Sequence, residues 1–164
     1  MNRVLDFLSP DLASPEAQWR SPLERALRNA PAEVADVSLT GKLELRGDID
    51  ALEATGFELV RITPTRALLL CDFTRTAQLR DELGEQFLVI DVSARLAGLR
   101  VRGEAVLRRL TDLDLDDLPA VGALAHVQGY VLRDDEETFR LFFPQEYGHY
   151  LGEVVVDAVE GVRA

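Results

Sequence analysis

Glu146, His149, Tyr150 and Glu153 are the residues of this chain whose types and spacing come closest to chemistry. Positions three and four apart on a helix share a face, so His149 would stand against Glu153, with Glu146 one turn earlier. A histidine between carboxylates can shuttle a proton or hold one side of a metal ion. A metal ion takes three or four ligands. The second histidine, His126, falls in a different element, and there is neither a His-x-x-x-His nor a cysteine pair. The expectation is no bound metal, with Glu146 and Glu153 solvated or ion-paired and His149 near the surface.

The same stretch is aromatic. Three of the seven Phe, two of the three Tyr and one of the two His fall within residues 138–150, a concentration that marks either the packing hub or the wall of a pocket. As a pocket wall it would offer Phe142, Glu146, Tyr147, His149 and Tyr150, apolar surface with a few polar groups, as small-molecule sites usually do. Arg100 and Arg102 alternate with Leu99, Val101 and Gly103, so both face one side of a strand. Their guanidinium groups could hold an anion beside that wall, or form cross-strand ion pairs on a solvated face.

Other constellations carry less. Asp112, Asp114, Asp116 and Asp117 lack the central Gly and terminal Glu of a calcium loop, and leucines interleave them. Ser93 follows Asp91 at a strand end without a recognisable base. There is no GxGxxG, Walker A, GxSxG, HExxH or CxxC, so no cofactor is expected and no catalytic residue is assigned.

The elements that would position these groups follow from periodicity and punctuation. A helix is expected up to residue 30, with Ser21 as cap, Pro22 in the first turn and Glu24 closing a capping box. A shorter helix at 15–19 would be anchored by Trp19. Residues 37–45 alternate apolar with Ser, Thr, Lys and Glu, the pattern of a half-buried strand, unless Gly41 marks a bulge or bend. Asp48 would cap a helix over 49–55. Strands are expected at 57–62 and 66–73, joined as a hairpin, and a helix over 74–83 stopped by Gly84. Further strands are expected at 86–92, 97–107, 123–133 and 138–143, the last paired with the one before it. A helix starting at 145 would close the chain, and Gly148 in its first turns would admit a close neighbour.

Leu39-Thr-Gly41 and Leu43-Glu-Leu-Arg-Gly47 recur as Leu96-Ala-Gly98 and Leu99-Arg-Val-Arg-Gly103. Either the chain is internally duplicated, with units near 34–84 and 92–162, or common residues coincide. The length of 164 residues suits one domain with a real core. The expected fold is α+β: a mainly antiparallel sheet of six or seven strands, helices on one face, and a long C-terminal helix.

Eight acids against one arginine between Asp112 and Glu137 supply most of the net charge of -11. An acidic surface argues against nucleic acid, which needs clustered cations. No apolar run is long enough to span a membrane. The single cysteine, Cys71, in an apolar run fits a reducing, cytoplasmic compartment. With no catalytic constellation and a broad apolar stripe on the last helix, the leading expectation is a non-enzymatic protein acting by association. It would be a homodimer through a sheet edge or that helix, with an unidentified protein partner also open. The alternative is a small-molecule-binding protein or enzyme with its pocket at 139–150.

Overall fold

The computed structural model describes residues 20–52 and 56–163. The expected helix at 15–19 with Trp19, and the end of the one over 49–55, lie outside the described residues. The strands are β1 (Val34–Asp36), β2 (Gly41–Arg46), β3 (Glu58–Thr63), β4 (Arg66–Cys71), β5 (Leu88–Asp91), β6 (Leu96–Arg102), β7 (Ala120–Leu124), β8 (Val127–Arg133) and β9 (Thr138–Pro144). The helices are α1 (Thr76–Leu83), α2 (Glu104–Leu107) and α3 (Gly148–Arg163).

The fold is α+β and antiparallel throughout, with its strands shared between two sheets. One has five strands in the order β1-β6-β9-β8-β7, the other four in the order β3-β4-β2-β5. The inner faces of the sheets meet through Val60, Leu68, Leu70, Val92, Leu132 and Phe142. On the far face of the four-stranded sheet, Leu79 of α1 packs with Leu43, Leu45 and Leu69. On the far face of the five-stranded sheet, Leu151, Val155 and Val159 of α3 pack with Leu99, Phe139, Leu141 and Phe143. Each sheet thus carries its helices on one face, and the central strands β4 and β9 are buried on both. Their sequences, Arg-Ala-Leu-Leu-Leu-Cys and Thr-Phe-Arg-Leu-Phe-Phe, are correspondingly near-continuous in apolar residues.

Each sheet takes one strand across from the other half of the chain. β1 pairs with β6 and β5 pairs with β2. The two crossings are sealed alike. The Gly98 amide donates to Ser38 Oγ at 3.0 Å and the Lys42 amide donates to Ser93 Oγ at 2.9 Å. The Ser38 amide donates to Asp36 Oδ1 at 2.8 Å and the Ser93 amide to Asp91 Oδ1 at 2.9 Å.

Several expected boundaries move for physical reasons. Residues 37–45 are not one strand. Asp36 holds the Ser38 amide, and the Thr40 hydroxyl donates to the Val37 carbonyl at 2.9 Å, so a side-chain-stabilised turn intervenes before β2. Residues 123–133 are likewise a hairpin, β7 and β8, reversed at Ala125 and His126 with φ of 44° and 71°. That twist matches the twist of the flanking strands, but without Asn-Gly its sequence passes for a continuous strand. β6 stops at Arg102, where Gly103 (φ 111°) leads into α2. Residues 22–29 form successive turns rather than a regular helix, although Ser21 Oγ accepts the Leu23 amide as a cap would. A Cβ on Gly148 would lie 2.8 Å from the Pro22 carbonyl oxygen, so Gly148 does admit a close neighbour.

Candidate functional site

Where β2 and β4 of one sheet meet β8 and the β9–α3 corner of the other, a cleft of about 320 Å³ opens to solvent. Glu44, Arg66, Arg95, Tyr130 and Glu146 supply its polar wall; Val92, Leu96 and Pro144 supply its apolar wall. The register brings these distant residues together. Leu96 pairs with Pro144 across β6 and β9, and the Gln145 amide donates to the Arg95 carbonyl at 2.9 Å, which pins the start of the last helix to the β5–β6 connection. Tyr130 pairs with Phe142 across β8 and β9.

The cleft is electrostatically asymmetric. Glu44 is buried, with its oxygens held by Arg46 Nε at 2.7 Å and by an Arg66 terminal nitrogen at 2.8 Å. Burial pushes its carboxyl up, but the bonds from Arg66 and Arg46 outweigh this and hold it below the usual carboxylate range. Arg66 is raised in turn, mainly by its bond to Glu44. Its Nε–H is covered from solvent and has no hydrogen-bond partner among the described residues. A buried guanidinium N–H without an acceptor costs free energy. Arg95 is exposed at the rim and has no carboxylate within ion-pair reach among the described residues. The half-buried Tyr130 phenol is pushed up by burial and remains a neutral donor at ordinary pH.

Over the Phe142 ring lies the chain's one lysine. Lys42 is fully buried, and its Nζ donates to the Ser38 carbonyl at 2.8 Å and the Thr40 carbonyl at 2.7 Å. It stands 5.5 Å from the centroid of the Phe142 ring. Burial lowers it from 10.5 to about 8, against the pull of Asp91 and Asp36.

The structure disperses most of the residues singled out by sequence. Glu146 lines the cleft, in the 3-10 turn Gln145–Tyr147. Phe142 is fully buried between the sheets and does not line the cleft. Tyr147 and Tyr150 are about half exposed; the Tyr150 hydroxyl donates to the Ala125 carbonyl at 3.1 Å, tying α3 to the β7–β8 turn. His149 faces Glu153 at 3.4 Å and does not line the cleft. Arg100 is exposed on β6, and Arg102 lines a separate hollow with Glu33, Glu137 and Arg163. No group of three or more His, Cys, Asp and Glu among the described residues could hold a metal ion. None of the described helices is long and apolar enough to cross a membrane.

Glu44, Arg66, Arg95 and Tyr130 escape a linear reading because the register joins them, not their spacing. One signal was available: Lys42 and Glu44 sit at the polar positions of an alternating strand, and such positions can face a second sheet as well as water.

No family model matches the chain, and no curated protein matches it. The fold is similar to that of a chain of the heterotetrameric sarcosine oxidase from Corynebacterium sp. U-96 in complex with pyrrole 2-carboxylate. The likeness has a TM-score of 0.70 at 20% identity, covering 89% of this chain and 97% of that one. It is also similar to glycine cleavage system aminomethyltransferase T from Bartonella henselae, with a TM-score of 0.56 at 18% identity. There it covers 82% of this chain but 48% of the other, so the chain spans about half the length of that protein.

Proposed function

We propose that this chain is a small accessory subunit of a hetero-oligomeric enzyme acting on small amines, and that the cleft between its sheets takes up a ligand. The near end-to-end likeness to one chain of a heterotetrameric oxidase carries the reading. The likeness to part of an aminomethyltransferase points toward the same amine chemistry. Exposed apolar side chains at Leu39, Phe73, Tyr147 and Tyr150 support an assembled rather than a solitary chain. A homodimer through α3 is the narrower alternative, favoured by Tyr147 and Tyr150 lying on that helix and its lead-in turn. The matched crossings at Ser38 and Ser93, each opened by Asp-Val-Ser, support reading the chain as one domain made of two duplicated units, near 34–84 and 92–162.

Native mass spectrometry of the protein isolated from its own cells tests the assembly, with oxygen consumption on sarcosine measured on the same sample. The expected result is a complex containing at least one different, larger chain, together with amine oxidation. A monomer or a pure homodimer without oxidation would overturn the subunit reading.

A further inference from the structure

We propose that the cleft between the sheets binds a monoanionic carboxylate with a short apolar body. This rests on the cleft being a ligand site, as proposed above, and not on the assembly. The donors lining the cleft are the partly exposed guanidinium of Arg66, the guanidinium of Arg95, which has no carboxylate partner among the described residues, and the phenol of Tyr130. Guanidinium groups match the planar, two-oxygen geometry of a carboxylate.

Charge selects the class. The cleft's own lining is balanced, Arg66 and Arg95 against Glu44 and Glu146, and Arg46, which bonds Glu44 without lining the cleft, adds one positive charge. A carboxylate balances it, whereas a doubly charged phosphate would leave negative charge beside two glutamates. The apolar wall of Val92, Leu96 and Pro144 faces the body of the ligand, and about 320 Å³ accommodates only a small one.

The test is an amide NMR titration of the full chain with propionate, isovalerate and benzoate, alongside propionamide and inorganic phosphate. The expected result is saturable shifts at Arg95, Leu96, Tyr130 and Gln145 with at least one carboxylate, and weaker binding of propionamide and phosphate. Arg95→Gln, at an exposed side chain, should weaken carboxylate binding about tenfold, as loss of a charged hydrogen bond does. Tyr130→Phe should weaken it less and keeps the packing, so misfolding does not imitate the result. Equal or tighter binding of propionamide or phosphate would overturn the carboxylate assignment while leaving a ligand cleft. No saturable shift with any probe, or full affinity in Arg95→Gln, would overturn the site itself; neither result bears on the mass of the assembled complex.

Discussion

At the end of β4 the chain passes Asp72, makes one 3-10 turn over Phe73–Arg75 and enters α1; at the end of β9 it passes Pro144, makes one 3-10 turn over Gln145–Tyr147 and enters α3. Beside the first corner lies a hollow lined by Val37, Leu39, Cys71 and Phe73, with Leu39 56% and Phe73 48% exposed. Beside the second lies the cleft of Arg66, Arg95, Tyr130 and Glu146. The backbone steps are the same and the side chains are not. On the reading proposed above, the apolar hollow rimmed by wet hydrophobes would serve contact, and the polar cleft beside the Arg95 guanidinium would serve a ligand. On that reading the shared frame does not decide the function; the residues placed at the two corners do.

The two halves depend most on the side chain that joins them. Phe142 reaches from β9 into the layer between the sheets, under Lys42 and against Gly98, where a Cβ would lie 2.8 Å from its ring. Phe142→Ala should cost about 3–5 kcal/mol in chemical denaturation, since the surrounding layer cannot close over the void. A loss of less than about 1 kcal/mol would mean that the sheets do not share a core, and the comparison of corners would lose its common frame.

Lys42 gives the next effect, and its sign is definite. Its folded value of about 8 lies below the ordinary 10.5, so between these pH values the unfolded chain binds more protons. Its contribution therefore makes stability rise with pH across that window, by about 3 kcal/mol in all. Below about pH 8 both states are protonated and the penalty is constant. Cys71 and Tyr130 are both pushed up by burial and act in the opposite sense at high pH. The readout is hence the difference between the protein and Lys42→Met. That difference should shift in favour of the wild type as pH rises from 8 to 10.5, and a pH-independent difference would show that Lys42 does not carry the effect.

What could be read from the sequence divides along the same line. The α+β class, the antiparallel pairing of β8 with β9 and the long C-terminal helix follow from local periodicity, and the structure has them. Glu146 was singled out with the aromatic residues around it, and it lines the cleft. Arg66 and Arg95 were not, since a polar residue at an alternating position looks alike whether it faces water or another sheet. The echo near Gly41 and Gly98 extends to Asp36-Val37-Ser38 and Asp91-Val92-Ser93. Its meaning is spatial, because each serine bonds across to the other half of the chain. Arg100 and Arg102 failed as cleft residues for a related reason: they lie further along β6, past the part of the strand that borders the cleft.

A smaller effect tests how tightly the sheets are held at their rim. Arg140 of β9 donates to Glu58 of β3 at 2.7 Å and to Asp134 at 2.7 Å, so one guanidinium spans the two sheets. Glu58 is more than half exposed, and water screens the pair. Glu58→Gln should cost less than about 1 kcal/mol, and the cost should shrink with added salt. A larger, salt-independent loss would place the rim among the determinants of the frame.

The smallest effect on stability is the sharpest test of the corners. Phe73 is nearly half exposed, so Phe73→Ala should change unfolding free energy by no more than about 0.5 kcal/mol. Phe142 and Phe73 are the same residue type in unlike settings, and the ratio of their effects measures how far the apolar hollow stands outside the core. If the hollow is a contact surface, Phe73→Ala will lower the share of assembled complex in native mass spectrometry while leaving the melting temperature of the isolated chain unmoved. A melting temperature that falls with the assembly would instead make Phe73 part of the packing of α1, and the two corners would differ in degree of burial rather than in purpose.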